Sequence, residues 1–112
     1  MHFNPKFKKI KNKVLGKKYE LDLILADSKL MRKLNKEYRG KNKDSNVLSF
    51  SLSPSVGQIF LNPNFIKKEA PKYGRDYKTH FSALYIHAIL HLKGYNHGRE
   101  MEKREKILWR GI

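Results

Sequence analysis

Apolar residues recur along the chain with two periods, and the switches between them mark out the elements. Phe7, Ile10 and Val14 fall at helical spacing; Asn4 can cap, Pro5 suits a first helical position and Gly16 can end the helix, so a short amphipathic helix with a lysine face is expected. In residues 19–26, Leu21, Leu23 and Leu25 alternate with Glu20, Asp22 and Ile24, the period of a half-buried strand. Asp27 or Ser28 then caps a second helix with Leu30, Met31, Leu34 and Tyr38 as one stripe, ending before Gly40. Residues 39–46 have no period and several turn formers, which predicts a polar loop. Strands are expected over 47–53 and 57–62, joined around Pro54 and Ser55, with a short helix from Pro63 to Ala70 broken by Pro71 and Gly74. A long helix spans 76–93; its stretch 83–92 carries no formal charge on any face, so it is largely buried, and Gly94 closes it as a left-handed cap. Residues 98–109 form a last helix whose mixed charges place it on the surface.

This pattern fits one compact α+β domain over residues 1–112, a small mixed sheet packed on helices, with residues 1–18 as a lysine-rich N-terminal helix or arm. No internal repeat is visible. Without cysteine, disulfides, thiolate nucleophiles and Cys-ligated zinc are excluded, and any metal must use His, Asp or Glu. Lys and Arg number 25 against 10 Asp and Glu, a formal charge of +15, which favours a polyanionic partner. The longest apolar stretch, 82–92, is interrupted by two histidines and falls far short of the ~18 residues a membrane span needs. The lysine-rich start has no continuous apolar segment and no small-residue cleavage site, so no secretory signal is read and a cytoplasmic protein is expected.

His87 and His91 lie four residues apart in the uncharged helix, so their imidazoles share a face, and the turn at Gly94 can fold His97 back toward them. Three imidazoles would leave a fourth tetrahedral position open, the arrangement of a catalytic zinc site; alternatively, the helix pair are core residues and His97 is an unrelated surface residue. The flanking helix offers these rings almost nothing polar to bond, which favours the metal. Metallopeptidases carry a glutamate after the first histidine, whereas here it is Ala88, and nothing in the sequence supplies a replacement base nearby. A phosphodiester needs that glutamate less.

HAILHLKGYNH, from His87 to His97, resembles the H-G-x-L-H-L-x-G-Y-D-H signature of the YbeY family, metal-dependent endoribonucleases and ribosomal RNA maturation factors of bacteria. LNKEYRGKNKDSNVLSF, from Leu34 to Phe50, resembles a second family block, and GQIFL from Gly57 a third, in the same order and spacing. The resemblance implies a single α+β domain with the histidine helix packed behind the sheet. It implies His87, His91 and His97 as ligands of one zinc per chain, nickel or another divalent ion being possible, and Arg39 as the functional arginine. It also implies single-stranded RNA as substrate, in 3′-end maturation of small-subunit ribosomal RNA, with the small ribosomal subunit as partner.

Without the motif, Arg39 would equally be solvated or paired with Glu37 or Asp44. With it, the guanidinium is expected to hold a phosphate by two parallel hydrogen bonds. Lys41, Lys43 and Lys93 are candidate RNA contacts or plain solvated lysines; Tyr38 and Tyr95 either stack on bases or belong to the core. Where the family commonly has aspartate, this chain has Asn42, Asn46, Gln58 and Asn96, and Asp44-Ser45 replaces Pro-Thr. Weaker zinc binding, compensation by an acid elsewhere, or a drift toward binding without cleavage are the consequences open at this point. Two functions follow: a zinc-dependent single-strand endoribonuclease, or a non-catalytic ribosome-associated RNA-binding factor with a structural metal. For either, RNA affinity measured against salt should fall steeply, with a log–log slope of about −0.7 per phosphate contacted; a flat titration would assign the basic surface to something else.

Overall fold

The computed structural model describes residues 5–96 and 98–109. Helix α1 spans Lys6–Leu15, with Pro5 already helical at φ −55° and Gly16 closing it at φ 99°; the expected cap Asn4 lies outside the described residues. Strand β1 (Glu20–Leu25) leads into α2 (Ser28–Arg39), whose N-cap is Asp27, its carboxylate accepting from the Leu30 N–H. After the loop come β2 (Val47–Ser53) and β3 (Val56–Leu61), then α3 (Pro63–Glu69), capped by the Asn62 side chain. A single 3-10 turn, Ala70–Tyr73, leads to α4 (Tyr77–Lys93) and finally α5 (Arg99–Trp109). Asp76 caps α4 by accepting from the Thr79 N–H, a bond that holds its carboxyl below the usual carboxylate range.

The sheet has the order β1-β3-β2, with β3 central, parallel to β1 and antiparallel to β2, so it is mixed as expected. Alternation along β3 divides the core between its two faces. Ile59 and Leu61 join the cluster built on α4, with Leu21, Leu23 and Leu25 of β1 packed against it. Phe60 joins the cluster under α2, with Met31 and Leu48. The apolar stripe of α2 is therefore real, but Tyr38 is not part of it: it is 66% exposed, its ring tilted over Phe50 at 5.0 Å. Asn35 is buried instead, its amide donating to the Lys43 carbonyl at 2.9 Å and so tethering the loop behind Arg39.

No residue of α4 between His80 and Leu92 is exposed, which is why the uncharged stretch was tolerated on every face. Helix α1 closes one side: the Phe7 ring stacks on Tyr85 at 4.0 Å, and the Tyr85 hydroxyl donates to the Phe7 carbonyl at 2.7 Å. Burial pushes that hydroxyl's pKa well above the usual phenol value, so it stays a donor throughout the ordinary pH range.

Tyr19 sets a test of this packing. Its hydroxyl is buried, finds no hydrogen-bond partner among the described residues, and lies where a Cβ on Gly57 would fall, with the Leu92 methyls 3.2 Å from the same point. Tyr19→Phe should be neutral or stabilising in urea denaturation, because the variant removes an unsatisfied buried group. Gly57→Ala should cost about 1–3 kcal/mol by overpacking, part of it recovered in the double variant. Strict additivity of the two changes would contradict the contact.

Candidate metal and RNA site

A cleft of about 750 Å³ lies along β2, one of the two edge strands. Its lining includes Tyr38 and Arg39 at the end of α2, Asn46 in the loop, and His87, Ala88 and His91 on α4. Elements distant in sequence thus bring Arg39 and the helix histidines into one cavity. Gly40, in the left-handed conformation at φ 64°, ends α2 just after Arg39 and releases the chain into the loop. Arg39 is exposed and enters no ion pair among the described residues. Of the two acids weighed as its partners, Asp44 is committed elsewhere, accepting from the Ser28 hydroxyl, the Ser45 N–H and the Asn62 amide.

The two helix histidines meet edge to face, their ring centroids 4.6 Å apart and their Nε2 atoms 3.0 Å apart. Contrary to the sequence-based expectation, their outward nitrogens have polar partners. His87 Nδ1 lies 3.0 Å from Glu105 Oε1 on α5, and His91 Nδ1 lies 3.1 Å from the Tyr95 carbonyl, just past the turn at Gly94. A carboxylate and a carbonyl both accept, so each Nδ1 carries the hydrogen, and in the neutral form each ring turns an Nε2 lone pair toward the other. Two lone pairs at that distance repel unless a cation lies between them. The separation approaches the roughly 3.3 Å between two nitrogens sharing one tetrahedral zinc ion. The donor set thus fits a metal. His97 lies outside the described residues, and among those described no group of three possible ligands assembles.

The last helix lies on the surface as expected, with Glu100, Glu102, Lys103, Arg104 and Lys106 exposed, but Glu105 is half-buried and places an acid beside His87 that the sequence alone did not locate. Met101 and Leu108 are buried, and Glu105 follows the first by four residues and precedes the second by three, which puts it on the same face. That position on the apolar stripe was the available signal. Glu105 does not substitute for the glutamate missing at Ala88, because it contacts the nitrogen that faces away from the cleft and lines a separate hollow with Arg75 and Trp109.

The amide departures find separate places. Asn46 donates from Nδ2 to Glu69 Oε2 at 3.0 Å, where an aspartate would set carboxylate against carboxylate. The same Glu69 oxygen takes a hydrogen from Nε2 of the buried His80 at 2.7 Å, and His80 Nδ1 accepts from Arg75 at 3.3 Å. This chain of bonds fixes a cleft residue from behind, and sequence reasoning did not single out His80 at all. Gln58 pairs with Asp22 and Phe50 in the sheet, while Asn42 and Asn96 are exposed. Lys41 and Lys43 are exposed on the loop after Arg39. Lys93 lines a different hollow, with Lys13, Tyr95 and Arg104, so it is not brought to the histidine cleft. Tyr95 is half-buried against the core, its hydroxyl accepting from Arg104 at 3.0 Å.

The family model described as Endoribonuclease YbeY matches residues 2–109, and the chain belongs to that family. A Petrotoga mobilis protein named Endoribonuclease YbeY is 37% identical over 110 residues, covering 91% of this chain and 76% of the relative. A Campylobacter jejuni protein of the same name is 38% identical over 102 residues, covering 84% and 75%. The solution structure of the Thermotoga maritima protein TM1509 shares the fold, with a TM-score of 0.66 over 94% of this chain and 77% of that one at 24% identity.

Glu69 gives the site its stability test. Glu69→Ala leaves the Asn46 amide and the buried His80 N–H without their acceptor, so urea denaturation should show a loss of about 1–3 kcal/mol for each group stranded. Glu69→Gln keeps one acceptor and should lose less. Equal stability of all three chains would mean that water replaces the carboxylate at no cost.

Proposed function

We propose that this chain is a zinc-dependent endoribonuclease that cuts single-stranded RNA during 3′-end maturation of small-subunit ribosomal RNA, working in the cytoplasm with the small ribosomal subunit. Membership of the YbeY family supports RNA cleavage as the reaction, and the charge of +15 suits the substrate. The observation that carries the reading is that Arg39 and the convergent His87–His91 pair line one cleft. No helix among the described residues is long and apolar enough to cross a membrane.

In this reading His87 and His91, with His97 as third ligand, hold one zinc ion, and the same imidazoles would also accept nickel or another divalent ion. Such an ion, when bound, supplies a Lewis acid for a phosphoryl oxygen and lowers the pKa of water. The chain's own side chains do the rest. The Arg39 guanidinium, exposed and outside any described ion pair, grips two phosphate oxygens in parallel and gains interaction as negative charge develops. The exposed ring of Tyr38 beside it offers a face on which a neighbouring base stacks. Lys41 and Lys43 continue the cationic track along the loop, and Lys93 contacts RNA outside the cleft.

Single-turnover cleavage with zinc saturating tests these roles. Arg39→Ala should lower the rate by about 10² to 10³ while RNA affinity weakens only a little, and Arg39→Lys, which keeps the charge without the fork, should rescue poorly. His91→Ala should lose bound zinc and cleavage together but keep RNA affinity. A parental rate in Arg39→Ala would remove its role. Absence of cleavage from the parent chain, with RNA and zinc both bound, would select the non-catalytic RNA-binding factor.

A further inference from the structure

We infer that Glu105 is a positioning residue for the metal centre, holding His87 in the Nδ1–H tautomer so that its Nε2 lone pair stays turned toward His91. The inference rests on reading His87 and His91 as metal ligands. Its geometric basis is the 3.0 Å contact between Glu105 Oε1 and His87 Nδ1, together with the 3.0 Å approach of the two Nε2 atoms on the opposite side of the ring.

Three features make this more than a chance surface contact. Met101 and Leu108, both buried, fix the face of α5 that presents Glu105, so the carboxylate is delivered by packing rather than by a free side chain. Two of the cations on the same helix are directed elsewhere, since Lys103 pairs with Glu100 at 3.7 Å and Arg104 donates to the Tyr95 hydroxyl. The two histidines are also held unequally, His87 by a carboxyl side chain and His91 by the Tyr95 backbone carbonyl. A carboxylate behind an imidazole both orients the ring and raises the basicity of its other nitrogen. His87 is therefore the stronger donor of the pair, and α5 acts on the site without entering the cleft.

The test uses two readouts on the full chain: zinc affinity, by competition with a chromophoric chelator, and the His87 tautomer, by imidazole ¹⁵N NMR on metal-free protein in alkaline buffer. Glu105→Ala should weaken zinc binding by about 10- to 100-fold and shift His87 toward a mixture of tautomers. Glu105→Gln keeps an acceptor without the charge, so it should preserve the tautomer and bind zinc with intermediate affinity. Urea midpoints close to parental in the Gln variant would separate the effect from general unfolding. Parental zinc affinity and an unchanged tautomer in Glu105→Ala would overturn the inference while leaving the metal site standing. A parent chain that takes up no zinc would instead overturn the metal reading, and this inference with it.

Discussion

The enclosure of α4, open along the cleft that His87 and His91 line, is the constraint on which the rest of this structure depends. His80 is fully buried and cannot go without partners, because an unbonded polar group in such surroundings costs about 1–3 kcal/mol on mutational scales, and the half-buried His87 and His91 face a reduced form of the same demand. The chain meets the demand twice with glutamates from other elements. Glu69 at the end of α3 takes the hydrogen of His80, and Glu105 on α5 faces Nδ1 of His87. His91 uses the Tyr95 carbonyl, which the left-handed turn at Gly94 brings back along the helix. The elements around α4 thus complete its hydrogen bonding as well as covering its apolar surface.

The order of elements was legible because their signals are local. Periodicity set the helix and strand types, and Asp27 and Gly94 behave as caps where their chemistry predicted. The same was true of the residues on one short stretch of chain, His87 and His91, since four residues on a helix define a shared face. What escaped was long-range. Glu69 meets His80 across 11 positions and Glu105 meets His87 across 18, and no window of sequence reports such pairings. Tyr38 escaped for a different reason: helical spacing assigned it to the apolar stripe, but α2 ends one residue later and the ring projects past the core onto Phe50.

The basic surface shares its framework with the site. Phe7 and Tyr85 join α1 to α4 by a stacked pair and a hydrogen bond, so the helix bearing the N-terminal lysines is seated directly on the helix bearing the histidines. The loop carrying Lys41 and Lys43 is anchored by Asn35 and Asp44 on both sides of its course. Positive charge is therefore mounted on fixed supports, and its field does not depend on the momentary conformation of a long arm.

The clamp between Phe7 and Tyr85 also bears on how the molecule can open. Segments that exchange their amides by partial unfolding are those with few buried contacts, able to detach while the remainder stays folded. α4 is held by α1, by both neighbouring strands, by α3 and by α5, so freeing it means dismantling all of them. The amides of its enclosed middle turns are therefore expected to exchange only through the global transition. The spacing between His87 and His91 then persists for as long as the native state itself, and any ion they hold adds its binding free energy to the cooperativity of the whole domain rather than to one loosened corner of it.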